Sequence, residues 1–110
     1  MLQLSVIHLD QKNFRDELLR SKGILVIEFA SAACAPCQTM DSLLEELSAQ
    51  YGEQIRFVRL DVQENFDIAL DYHIIATPTL LIFKNSEMVD KLVGLEDAET
   101  IRSRIENLIL

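Results

Sequence analysis

Seven residues, Ile24-Leu25-Val26-Ile27-Glu28-Phe29-Ala30, restrict the fold more than any other stretch of this 110-residue chain. Apolar side chains occupy odd and even positions alike, so a strand formed here must be covered on both faces. A strand with one face in water would alternate instead. Only Glu28 interrupts the run. Shortly downstream stands Cys34-Ala35-Pro36-Cys37, and its two cysteines are the only ones in the chain. Met40, Leu43, Leu44, Leu47 and Tyr51 then recur at helical spacing as far as Gly52, where a glycine suits a helix stop. The sequence thus describes a buried strand that hands over to a long helix, with two thiols at the junction.

Around this unit strands and helices alternate. Leu4-Ser5-Val6-Ile7-His8 reads as a first strand. Asp10 is a good helix N-cap, with Leu9 and Phe14 placed for a hydrophobic staple. Phe14, Leu18 and Leu19 give that helix an apolar face ending near Ser21-Lys22-Gly23. Residues 55–62 form the next strand and residues 65–72 a short acidic helix, where Asp67 and Asp71, with Glu64 just before it, make a solvated face. Residues 79–83 and 88–92, joined by a turn at 84–87, read as a hairpin ended by Gly94. Ala98, Ile101, Ile105 and Leu108 stripe a closing helix. The order βαβαβαββα predicts an α/β domain over residues 1–110. Its central mixed sheet is five-stranded, with helices on both faces.

Apolar residues make up 49% and charged residues 25%, a globular composition. A net charge of −8 argues against nucleic acid or an anionic membrane surface as a partner. No apolar stretch approaches the roughly 18 residues of a membrane span, and residues 1–10 lack the pattern of a secretory signal. Two cysteines are too few for a disulfide scaffold. A cytoplasmic location follows, where a close pair of thiols is catalytic rather than structural. The expected state is a monomer.

Disulfide exchange needs a thiolate that attacks and a second thiol that resolves the mixed disulfide. Cys34 lies where the strand ends and the helix begins, so free backbone N–H groups and the positive end of the helix dipole stabilise its thiolate. Pro36 fits the first helical turn, which has no use for its missing N–H. Cys37 follows one turn later and more deeply. Cys34 is therefore the expected nucleophile and Cys37 the resolving cysteine. No metal site is expected, because structural zinc takes four ligands and the pair offers two. His8 and His73 read as surface or packing residues.

The run Phe29-Ala30-Ser31-Ala32-Ala33-Cys34-Ala35-Pro36-Cys37 resembles the active-site segment of the thioredoxin family. Ala76-Thr77-Pro78-Thr79-Leu80-Leu81-Ile82-Phe83-Lys84-Asn85 resembles that family's later proline-containing strand, and Val93-Gly94 the glycine beyond it. The resemblance implies the thioredoxin fold and a protein-disulfide reductase working through a reversible Cys34–Cys37 disulfide. It implies no bound cofactor, protein disulfides as substrates, and electrons from an NADPH-dependent, thioredoxin reductase-like donor. It places Pro78 in cis facing the cysteine pair, with the Thr77 backbone in reach of a substrate strand. Ala33, Ala35, Pro36, Ala76, Thr77, Pro78 and Gly94 then form the substrate-binding surface. Glu28 stands where the family has a buried aspartate that exchanges a proton with the resolving cysteine, and its greater length is similar to the protein disulfide isomerase branch. Burial raises a carboxyl pKa and fits it to accept that proton. Arg59 stands where relatives place a lysine paired with the carboxylate.

Some positions depart from the family pattern. The chain has no tryptophan, and Ala30 and Ala33 replace family aromatics. Ala35 and Ala76 stand for glycines and Gln38 for a lysine. The surface around Cys34 is expected to be smaller, flatter and less cationic, which leaves partner identity open. Two further readings stay alongside the reductase. One is a glutathione-linked or isomerase-like exchange protein, and the other is a partner-binding or redox-sensing module that uses the fold to dock.

Overall fold

The computed structural model describes residues 6–8, 10–20 and 22–109. Leu4 and Ser5 of the expected first strand, Leu9 of the staple, and Ser21 lie outside them, as does the side chain of His8. The elements run β1 (Val6–His8), α1 (Gln11–Arg20), β2 (Ile24–Ala30) and α2 (Ala35–Tyr51). A 3-10 turn (Gly52–Gln54) leads to β3 (Ile55–Asp61), α3 (Phe66–Asp71), β4 (Thr79–Lys84), β5 (Glu87–Val93) and α4 (Ala98–Ile109). The strands are ordered β1-β3-β2-β4-β5. β1, β3 and β2 are parallel, and β4 and β5 run antiparallel to their neighbours. The mixed sheet has five strands, four of six or seven residues and β1, whose three described residues pair with β3.

β2 is central because it is hydrogen-bonded on both edges and buried at all seven residues. Its side chains alternate between two cores. Val26 joins Met40, Leu44, Leu47, Ile101 and Ile105 on the side of α2 and α4. Leu25, Ile27 and Phe29 join Phe14, Val58, Leu60 and Ile68 on the side of α1 and α3. The rings of Phe14, Phe29 and Phe83 meet Tyr72 at centroid distances of 6.0, 6.4 and 5.9 Å. Helices therefore cover both faces, and Glu28, two residues from Val26 and from Ala30, faces α2.

Local signals set the element ends. The Asp10 carboxylate accepts from the N–H groups of Lys12 and Asn13, while Asn13 Oδ1 accepts from the Asp10 N–H at 2.8 Å. This reciprocal cap satisfies three donors at the start of α1. Asp10→Ala is expected to lower stability by about 1 kcal/mol, read as a shifted urea midpoint with an unchanged m-value. Leu19 corrects the apolar face drawn for α1: it is exposed, because only Phe14 and Leu18, four residues apart, share the inward stripe. The hairpin turn is tighter than the sequence suggested. Lys84 and Glu87 still pair, leaving Asn85 and Ser86 at φ 51° and 70°, as a two-residue turn with both φ values positive requires. Asn85 also exchanges two hydrogen bonds of 2.9 Å with the Gly23 backbone, fixing the hairpin against the start of β2.

Candidate active site

Cys34 is the N-cap of α2, with extended backbone angles of φ −122° and ψ 103°. A capping residue turns its side chain back over the first turn. Here Cys34 Sγ accepts from the Cys37 N–H at 3.1 Å, and the Cys34 carbonyl accepts from the N–H groups of Cys37 and Gln38. The two cysteines are joined as a disulfide with Cα atoms 5.2 Å apart. Cys37 is wholly buried, whereas Cys34 retains 8% of its surface. The outer sulfur is therefore the one a partner reaches, and the Cys37 N–H at the first turn of α2 points to it.

The loop before β4 meets this sulfur. Thr77–Pro78 is a cis peptide, and Thr77 Oγ1 donates to Cys34 Sγ at 3.6 Å. Ser31 Oγ lies 3.3 Å from the same hydroxyl. Thr79 Oγ1 donates to the Ala76 carbonyl at 2.7 Å, and the Gly94 N–H donates to the Pro78 carbonyl at 2.8 Å. Gly94 has φ 90°, a backbone region that favours glycine. Ala33, Ala35, Pro36 and Ala76 are exposed around the pair, while Thr77 and Gly94 are half-buried and Pro78 is buried. The expected substrate-facing residues thus come from the start of α2, the loop before β4 and the end of β5.

The surroundings are not purely small and flat. Ile75 is 89% exposed one residue before Ala76, and Val93 and Leu95 are exposed on either side of Gly94. Sequence reading assigned Ile75 and Leu95 no role. It also missed Ser31, which meets Thr77 across 46 residues of chain.

Glu28 lies on the α2 side of β2 with no exposed surface. Its carboxyl pKa is pushed up to about 9, first by burial, then by the hydrogen bond its protonated form donates to the Asp41 carboxylate and by the charge of that carboxylate, with Arg59 opposing. Glu28 and Arg59 stand opposite each other in register across β2 and β3. The guanidinium nevertheless goes elsewhere: Nη1 is 2.8 Å from Asp41 Oδ2, while Nε is 4.0 Å from Glu28 Oε1. Asp41 is the site neighbour that the sequence reading lacked. Its only signal was a carboxylate four residues after Cys37, on the same helix face.

A family model for thioredoxin matches residues 5–107. The chain is 32% identical over 103 residues to the thioredoxin of Staphylococcus saprophyticus, covering 94% of this chain and 97% of that one. It is 31% identical over 100 residues to a mitochondrial thioredoxin of Bos taurus. There the match covers 91% of this chain, which spans only 60% of the bovine protein. A chain solved in a study of thiol resolution in yeast mitochondrial 1-Cys peroxiredoxin via glutathione/thioredoxin systems superposes with a TM-score of 0.84. It is 30% identical, and the match covers 94% of this chain and 96% of that one. A cysteine pair at a helix start, a cis-proline loop against its outer sulfur and a matching family model agree, and the chain belongs to the thioredoxin family.

Proposed function

We propose that the protein is a thiol–disulfide oxidoreductase that reduces protein disulfides as a single domain. The observation that carries this reading is the placement of Cys34 as the N-cap of α2, bonded to a fully buried Cys37. In the reduced form the Cys34 thiolate attacks one sulfur of a substrate disulfide. The substrate S–S bond breaks, the first thiolate leaves, and a Cys34–substrate disulfide forms. Cys37, once deprotonated, attacks Cys34 Sγ, releasing the second substrate thiolate and re-forming the Cys34–Cys37 bond. Two electrons pass to the substrate, whose thiolates take up two protons.

The Thr77-Pro78 loop, Ala33, Ala35, Pro36, Ala76 and Gly94 are proposed to hold the substrate strand, aided by the exposed Ile75 and Leu95. Glu28 is proposed to accept the Cys37 proton. An NADPH-linked, thioredoxin reductase-like protein is the proposed electron donor, with no resident cofactor. A cytoplasmic location is proposed, and among the described residues no helix is long and apolar enough to cross a membrane.

Reduced protein is expected to precipitate insulin by cleaving its interchain disulfides. Equilibration with a glutathione redox buffer is expected to give a potential near the roughly −270 mV of thioredoxin. Inert insulin would sink the reductase reading. A much less negative potential would transfer the protein to the glutathione-linked or isomerase-like class.

A further inference from the structure

We propose that Asp41 is a positioning residue for the resolving step: it shares the proton of the buried Glu28 carboxyl and connects that carboxyl to solvent. The inference rests on the reading of Glu28 as proton acceptor for Cys37 and extends it to a second carboxyl.

Geometry leaves Glu28 few partners. Ala30, two residues along the same strand face, packs with Cys34 and Cys37 in one buried cluster. Glu28 therefore lies one step deeper along that face, and Asp41 lies one helical turn beyond Cys37 on α2. Neither Glu28 oxygen receives a hydrogen bond from an N–H or O–H donor, and the same holds for Asp41 Oδ1. Two carboxylates side by side without a donor repel, but with one proton between them they form an O–H···O bond. Arg59 does not replace that proton, because its close contact is with the other Asp41 oxygen at 2.8 Å.

Accessibility then rises along the chain of groups. The Glu28 side chain is 1% exposed and that of Asp41 28%. Beside them is a partly open pocket of about 40 Å³ lined by Val6, Glu28, Asp41, Glu45 and Arg59. That volume admits water, and four polar side chains can hold it. Other elements also face this space. Glu45 Oε1 is occupied by the Val6 N–H at 3.1 Å. From β4 the residue paired with Glu28 is Leu80, and α4 presents Ile101 and Ile105 to this core.

Proton balance closes through these residues. The pair first passes its shared proton to water through Asp41, and the freed Glu28 carboxylate then takes the thiol proton of Cys37, which restores the singly protonated pair. The Cys37 thiolate then attacks Cys34 Sγ, and the departing substrate thiolate is protonated from solvent.

The reagent dithiobis(nitrobenzoate) separates the steps in the reduced full-length protein. Its first coloured thiolate reports attack by Cys34, and the second reports resolution by Cys37. In Asp41→Asn, Glu28 loses a neighbouring negative charge and gains a freed Arg59. The pH midpoint of the second phase is expected to fall by about one unit, and Asp41→Glu should restore it. A second-phase profile in Asp41→Asn that superimposes on the unsubstituted protein, while Glu28→Gln abolishes the midpoint, overturns the role of Asp41 alone. A midpoint that survives unchanged in Glu28→Gln overturns the Glu28 reading beneath it. Should Asp41→Asn not fold, carboxyl carbon-13 titration of the unsubstituted reduced protein decides. A common inflection of Glu28 and Asp41 supports sharing, and an Asp41 signal flat through the Glu28 inflection refutes it.

Discussion

Cys37→Ser is expected to turn a recycling catalyst into a trap. It should release one equivalent of substrate thiol and then stall as a Cys34–substrate disulfide. Cys34→Ser should release none. A hydroxyl is a far weaker nucleophile than a thiolate near neutral pH, so turnover in either variant should fall on the order of a thousandfold or more. The asymmetry between the variants is the informative part. Cys34 is the partly exposed sulfur at the helix start, and Cys37 is completely buried behind it. Only Cys34 can meet a folded substrate, and only Cys37 is held for the intramolecular attack. Nonreducing electrophoresis and intact mass of Cys37→Ser mixed with oxidised insulin would show the adduct, and a cell extract would then supply its physiological counterparts. Equal adduct formation by Cys34→Ser through Cys37 would reverse the assigned roles.

The division between what could and could not be read from the chain follows the range of the interactions. β2 was legible because seven consecutive residues carry the pattern of a two-sided strand. The α2 start was legible because an N-cap, an early proline and a helical stripe lie within a few residues of one another. Leu19 was misplaced because one residue of rotation, 100° of helix, separates the inward stripe from solvent. Contacts such as Ser31 with Thr77 join segments whose approach depends on the finished sheet.

Glu28 shows both sides of that division. A carboxylate within an apolar strand is visible as an anomaly in the sequence, and burial follows from the strand's position. Arg59 as a charge partner for that carboxylate was also suggested by the family pattern. The preference of Arg59 for Asp41 was not, because it depends on how α2 is rotated over the sheet. Partner choice among three charged groups is a tertiary property even when each position is locally explicable.

The same arrangement has a thermodynamic consequence. Glu28→Gln is expected to stabilise the oxidised protein at alkaline pH by on the order of 2 kcal/mol. In the folded state the Glu28 carboxyl keeps its proton up to about pH 9, whereas the ordinary value is 4.5. Between those values the folded chain binds more protons than the unfolded one, so rising pH draws the equilibrium toward unfolding by up to about 1.4 kcal/mol per unit for this group. Solvent entering the adjoining pocket and the opposing charge of Arg59 reduce the realised effect below that ceiling. Glutamine is neutral throughout, and its amide N–H can donate to Asp41, the contact that Glu28 makes only while protonated. Urea unfolding of both proteins should give similar stabilities near pH 4.5 and curves that separate as pH rises. Titrating groups remote from Glu28 and Asp41 cancel in the difference, so parallel curves from pH 5 to 9 would refute a raised Glu28 pKa. A separation in stability joined to a slowed resolving step would show that one carboxyl weakens the fold and serves the reaction, as expected where stability and activity conflict.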